Sequence, residues 1–229
     1  MQKKPLSIIE NPWDQITKSV RLLPCDKTTI ENYNLKYSTN QIFYKDFPEP
    51  FLGNVNAEIY CLFGNPGFDL KNPLHDYSPK QIQSVLRNLQ HRNGNDQFPF
   101  YLLDPLFEGH EGHKWWTNKL KPLADELNVG LDKIAKRLFA IEFYGYHSVS
   151  GSEDLIYQLK SFDYTEYIIK EAILKNKVIL VCRGIRKWLT RIPDLKCYDN
   201  CFFVSSNRGI QLSQNTISPT GYKKLKNSI

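Results

Sequence analysis

The chain has 229 residues, with 30 Lys and Arg against 24 Asp and Glu, for a formal net charge of +6. That length suits one domain, or one domain with a modest extension, and needs no disulfide or metal staple to hold a core. A hydrophobic share of 41% excludes a disordered chain, no apolar run approaches the roughly 20 residues of a membrane span, and the mild positive charge permits nucleic acid without requiring it.

The opening MQKKPLSIIENPWD lacks the continuous apolar core of a signal peptide. Cys25, Cys61, Cys182, Cys197 and Cys201 are odd in number and scattered, the usage of a reduced, cytoplasmic protein. Asn11-Pro12 reads as a helix start, cap followed by Pro, with the helix expected to run to Leu23 and stop at Pro24. A short helical stretch near Thr28–Leu35 and the aromatic, Pro-containing segment YSTNQIFYKDFPEPF follow. Residues 1–57 are therefore expected to form a helical and extended arm packed on the main domain, 58–229.

The pattern then changes. IYCLF (Ile59–Phe63) is a continuous apolar run ending in GNPG, which suits a buried parallel strand. Ser78-Pro79 opens a helix, and FPFYLLD (Phe98–Asp104) is expected to be extended. The loop DPLFEGHEGH leads into an amphipathic helix KWWTNKLKPLADELN, expected to bend at Pro122. One of Trp115 and Trp116 should enter the core. A short helix at Leu131–Leu138 precedes a second strand in LFAIEFYGY. DYTEYIIKEAILKN is helical with Asp163 as its expected cap, KVILVCRG is a buried strand, GIRKWLTRI a helix, CFFVSSN the last strand, and SPTGYKKLKNSI a basic terminal helix. Apolar strands alternating with helices predict an α/β fold, a three-layer α/β/α sandwich around a short, mainly parallel central sheet.

In such a sheet ligands bind beyond the carboxyl ends of the strands. The loops to inspect follow Phe63, Phe143, Cys182 and Ser205. No phosphate-binding Gly-x-x-x-x-Gly-Lys-Ser/Thr, no Gly-x-Gly-x-x-Gly after a strand and no Gly-x-Ser-x-Gly elbow occurs, so nucleotide-triphosphate, dinucleotide and triad-hydrolase chemistries lose support. His110, His113, Cys197 and Cys201 lack the spacing of a zinc site and are read as surface histidines and packed cysteines. No metal or other cofactor is implied.

Two short motifs in this order resemble the uracil-DNA glycosylase superfamily. Strand IYCLF followed by Asn65-Pro66-Gly67 resembles the family's first motif, nearest to the mismatch-specific and single-strand-selective branches. Ile217-Ser218-Pro219-Thr220-Gly221 is similar to the second motif, between the last strand and the terminal helix. The resemblance covers roughly Glu58 to Ile229. It implies hydrolysis of an N-glycosidic bond to a base flipped out of DNA. On that reading Asn65 positions a water and Ser218 stands at the second catalytic position. Gly64, Pro66, Gly67, Phe68, Glu142, Tyr146 and His147 hold the base, with Phe68 as its stacking platform. Arg208, Asn215, Thr220, Tyr222, Lys223 and Lys224 meet the DNA.

The pattern departs from the family in three places. Phe63 stands where the first motif's leading glycine is expected, the second motif has no His, and Glu142 lies near the place of an Asn that reads the base edge. An ionised carboxylate accepts but does not donate, so it suits a base presenting amino groups or none at all. Plain structural readings stand beside these: Asn65-Pro66-Gly67 as a turn, Ser218-Pro219 as a helix start, His147 as a loop cap, and Glu142 as an edge residue facing water. The expected partner is DNA, without a membrane and with any protein partner unknown. The alternative is a non-catalytic nucleic-acid- or protein-binding module on the same scaffold. A small-molecule nucleoside enzyme using Asn65–Asp69 and Glu142 is a third reading.

Overall fold

A computed structural model gives the architecture and describes residues 7–68, 76–150, 155, 158–205 and 211–229. The strands, in chain order, are β1 (Ile42–Phe43), β2 (Phe51–Gly53), β3 (Ile59–Leu62), β4 (Leu138–Ile141), β5 (His147–Ser148), β6 (Val178–Val181) and β7 (Cys201–Phe203). The helices are α1 (Pro24–Lys36), α2 (Pro79–Leu89), α3 (Glu111–Leu127), α4 (Leu131–Arg137), α5 (Phe162–Leu174), α6 (Ile185–Arg191) and α7 (Pro219–Asn227), with short 3-10 turns between them.

The main sheet has the order β2-β4-β3-β6-β7. Strands β4, β3, β6 and β7 run parallel, and β2 lies antiparallel on the β4 edge. Every residue of β3, β4 and β6 is buried, which is why these segments read as unbroken apolar runs rather than as alternating ones. Cys61 stands opposite Ala140 and Leu180, and Leu180 opposite Phe202, so these four share a face. On that face Trp115, Trp116 and Leu120 of α3 line a narrow apolar cleft with Cys61 and Ala140, and α7 rests its Gly221 against the Phe202 ring. On the opposite face Phe143 packs on Phe162 of α5 and on Trp188 of α6, each at 4.6 Å between centroids. The result is the expected α/β/α sandwich around a mainly parallel sheet.

The first fifty-odd residues join this core. Trp13, Ile16, Leu23 and Ile30 are buried in it, each worth roughly 1.5–3 kcal/mol relative to exposure. The segment also supplies β2, and its β1 pairs with β5 in a separate two-stranded ladder. The helix expected over residues 11–23 is only a 3-10 turn, Pro12–Gln15, capped by the Asn11 side chain. Thr17 ends it, because its hydroxyl takes the Ser19 and Val20 N–H groups and offers the backbone an alternative to helix. Pro24 then starts α1 instead of stopping a helix. The apolar run expected to be extended at Phe98–Asp104 holds a 3-10 turn at Tyr101–Leu103, since burial alone does not distinguish the two. Helix α3 starts three residues early, capped by the His110 Nδ1 accepting from Gly112 N–H at 3.0 Å, and it runs on through Pro122. Helix α5 begins at Phe162, ahead of the expected cap Asp163.

Among the parallel strands the lateral order is second, first, third, fourth. The chain therefore leaves β3 for one side and later returns to the other, so the order reverses between β3 and β6, the kind of switch point beside which open α/β sheets bind ligands.

Candidate functional site

The loops after β3 and β4 run side by side beyond the sheet. Phe63 N–H donates to Ile141 O at 2.8 Å, Phe143 N–H to Gly64 O at 3.1 Å and Ser148 N–H to Pro66 O at 3.3 Å. From the other flank Glu142 N–H reaches Pro50 O at 2.9 Å and Glu49 N–H reaches Gly145 O at 2.7 Å. That approach requires glycine at position 145, where a Cβ would stand 2.7–2.9 Å from Pro50 atoms. The β6 loop is tied in by Cys182 and Arg183, whose N–H groups both donate to Leu62 O.

Asn65 is fixed within this frame. Its Nδ2 donates to Ser148 O at 3.1 Å, Ser148 Oγ at 2.9 Å and Pro66 O at 3.0 Å. Two of these acceptors are backbone carbonyls, which cannot donate, so the amide orientation is settled by its partners. Ser148 is held in turn by the Tyr144 hydroxyl at 3.1 Å and by its own bond to Ser150 O. Asn65 Oδ1 accepts nothing among the described residues. It is a positioned acceptor on a half-buried residue, suited to orient a water.

Gly64 and Gly67 flank it. Neither has a positive φ, and a Cβ built on either would meet nothing within 4 Å. Packing inside the chain thus does not demand glycine at these two positions, and the space above them is open. Phe68 lies against Phe43 of β1, with centroids 3.6 Å apart and planes 5° from parallel.

Glu142 follows β4, an interior strand, so the reading of an edge residue facing water is overturned. Although the residue as a whole is only partly buried, its Oε2 is enclosed and has no hydrogen-bond partner among the described residues. Burial, then the nearby Glu49 carboxylate, push the Glu142 carboxyl well above the usual carboxylate range, against the opposing pull of Arg183. That environment favours the protonated form of the carboxyl over the ionised one. The sequence-based argument concerned an ionised carboxylate; in its protonated form the group offers an O–H donor beside a C=O acceptor, as an amide does. Beside it the Cys182 thiol is driven up by burial and by its bond with Cys61, so it offers no thiolate nucleophile.

Other expected site residues are committed elsewhere. His147 directs Nδ1 at Gly67 O, 2.8 Å, and Nε2 at Phe47 O, 2.9 Å, bracing the β3 loop against the N-terminal segment. Tyr146 is fully buried, donates to Asp26 Oδ2 at 3.0 Å and packs on Trp13, so it is committed to the core and not open to a ligand. Ser218 is exposed, and its Oγ accepts from Gly221 N–H as the N-cap of α7. Asn215 and Thr220 are exposed near the same helix start, and Ser205 N–H bonds Thr216 O, which keeps this loop at the carboxyl end of β7. One strand separates that loop from Asn65. Tyr222 is buried, with its hydroxyl on Glu126 of α3.

Lys224 corrects the expected DNA contact. Its ammonium bonds Asn200 Oδ1, which precedes β7 at the amino end of the sheet, away from the loops after β3 and β4. Lys226 pairs with Glu126 at 3.5 Å, while Lys223 is exposed on α7. Arg208 and Asp69 lie outside the described residues. Positive charge at the carboxyl end comes instead from the exposed Arg183 and from α6, which begins at once after it. Sequence reasoning did not assign roles to Ser148, Tyr144, Glu49 or Phe43. Only the polar and aromatic character of the YGYHS loop hinted at the first two, and nothing local pointed to the others.

Among the described residues no group of His, Cys, Asp and Glu is disposed to hold a metal ion, and no helix is long and apolar enough to cross a membrane. The apolar cleft under α3, about 300 Å³ with its open mouth, is lined by rings and aliphatic side chains beside Lys119 and includes neither Asn65 nor Glu142. Comparison of the chain with family models, curated proteins and solved structures found no match.

Proposed function

We propose that the chain is a DNA glycosylase-like protein that hydrolyses the N-glycosidic bond of a base held at the carboxyl ends of β3 and β4. The observation that carries this reading is the Asn65 amide, clamped by Ser148 with its Oδ1 accepting nothing among the described residues, beside two open glycines and the Glu142 carboxyl, whose protonated form burial favours. Asn65 Oδ1 accepts a hydrogen bond from a water and directs its lone pair at the sugar carbon. As the glycosidic bond breaks, electrons pass to the base, and the Glu142 O–H donates to the oxygen or nitrogen gaining charge. The water adds to the sugar, its proton leaves to solvent, and the base departs.

The test is strand scission at abasic sites in oligonucleotides carrying uracil, hypoxanthine or alkylated bases, single- and double-stranded. Product is expected from at least one substrate, with a loss of tenfold or more in Asn65→Ala. No product from any of them ends the catalytic reading. A second reading, a non-catalytic nucleic-acid-binding module, is favoured by one observation: Ser218 is spent as a helix cap and His147 as a brace, so neither supplies a proton carrier. It predicts salt-sensitive binding of oligonucleotides without base release, weakened by Arg183→Ala.

A further inference from the structure

We infer that Phe43 is a built-in, displaceable occupant of the Phe68 face, holding the place of a planar, electron-poor heteroaromatic ring. The inference rests on the proposed base-binding role of Phe68 and specifies how that site is kept closed.

The geometry of the pair is unusual for two phenyl rings. With centroids 3.6 Å apart and planes within 5°, the rings lie nearly one over the other, with a lateral offset of about 1 Å for an ordinary stacking gap. Phenyl faces both carry negative quadrupole density, so phenyl pairs prefer offset or edge-to-face packing to this sandwich. Other aromatic pairs in the chain obey that preference: Phe63 meets Trp116 at 79° and Phe100 meets Trp116 at 71°. A ring whose carbonyls or ring nitrogens withdraw electron density from its face would stack on Phe68 without this repulsion. A nucleobase is such a ring. No base fits between rings already in contact, so Phe43 must leave before one can use the same face.

The backbone around Phe43 lets it leave without unfolding anything. Ile42 is buried and held at both N–H and C=O by the Asn34 side chain, at 2.7 and 2.9 Å. Phe47 is buried, and its carbonyl is held by His147. Between these anchors Phe43 and Tyr44 are only partly buried and Lys45 is exposed. The Phe43 ring can therefore swing about its own side-chain bonds while both ends of the segment stay fixed. The gate also reports on the site beside it, because Phe43 pairs with His147, and Ser148, next in the same ladder, orients Asn65.

The test is isothermal titration of wild type, Phe43→Ala, Phe43→Leu, Phe43→Trp and Phe68→Ala with free uracil, hypoxanthine and cytosine. Removing the stacked competitor should tighten binding of whichever base binds by about three- to tenfold, in the Ala and Leu variants alike. Phe43→Trp should weaken it and Phe68→Ala should abolish it. The Leu variant keeps apolar cover over Phe68, so a folding defect peculiar to Ala does not decide the result. If a base binds wild type and Phe68→Ala weakens it while both Phe43→Ala and Phe43→Leu bind equally or less tightly, Phe43 is part of the site rather than its occupant and the inference is overturned. If no base binds any variant, including those with Phe43 removed, the base-binding reading falls and this inference with it.

Discussion

Replacing Glu142 by Gln separates the neutral acid proposed for this side chain from an ordinary carboxylate. The carboxyl sits well above its usual range because burial and Glu49 outweigh Arg183. A group whose folded pKa is raised stabilises the fold below its unfolded value, about 4.3, and loses that contribution as pH rises towards the folded value. The unfolded chain releases this proton first, so in that window the folded state binds more protons and wild-type stability falls with pH. The amide is isosteric and does not titrate. Stability of Glu142→Gln relative to wild type should therefore climb with pH from about 4.5, by up to about 1.4 kcal/mol per pH unit, until the folded carboxyl itself ionises. Urea unfolding of both proteins at half-unit steps from pH 4.5 to 8 measures the difference directly. The enclosed Oε2, without a partner among the described residues, adds a second expectation. Because an amide also presents a donor beside an acceptor, Glu142→Gln should retain base binding, whereas Glu142→Ala should lose tenfold or more. A stability difference that stays flat across the range would refute the reasoning, since it would mean that Glu142 titrates alike in both states.

His91 supplies a contribution of opposite sign. Its ring stacks on Phe51 at 4.4 Å, neither nitrogen has a partner among the described residues, and burial lowers its pKa to about 4. The unfolded chain takes up this proton near pH 6.5, so stability is lost as pH falls from there to about 4, by up to about 3 kcal/mol. His91→Asn, which tolerates the local φ of 53°, should remove that loss, and denaturant melts at pH 4.5 and 7 would show it. Gly64→Ala should leave thermal stability unchanged or raise it by about 0.4–1 kcal/mol while blocking base binding, because its Cβ enters only open space beside Asn65. Gly145→Ala should instead cost on the order of 1–3 kcal/mol in a urea melt, since its Cβ meets the Pro50 backbone. Ser148→Ala should cost about 1 kcal/mol in the same melt and lower any glycosylase rate only modestly, since it removes the Oγ acceptor but leaves the Ser148 and Pro66 carbonyls on the Asn65 amide.

How far the sequence revealed these features depended on the range of the interactions behind them. Strands β3, β4 and β6 are each buried on both faces, so four consecutive apolar residues sufficed to mark them. Strand β2 holds only Phe51, Leu52 and Gly53 within a Pro-containing stretch, and its pairing partner lies nearly ninety positions away, Leu52 opposite Ala140. Nothing local could announce it. Lys224 failed for a different reason. It sits close in sequence to the Ser218 loop, but six residues of helix carry a side chain about 9 Å along the axis, here towards the amino end of the sheet. Nearness to a motif in sequence is a poor guide once a helix begins.

The turn Asn65-Pro66-Gly67 is the most informative case, since its composition alone fits a turn equally well. A glycine retained for conformation shows a positive φ, and one retained for packing shows a neighbour its Cβ would strike. Gly184 is the first kind, at φ 67°, and Gly145 the second. Gly64 and Gly67 are neither. Their remaining physical use is to leave the loop backbone uncovered, where a planar ligand can approach it closely, beside an amide whose Oδ1 accepts nothing among the described residues. Pro66 serves the same end, being buried with its carbonyl held by Ser148 N–H, which keeps the bared backbone from collapsing into the gap. A plain turn needs no such brace. That combination, rather than the order of letters, is what favours a site at the end of β3.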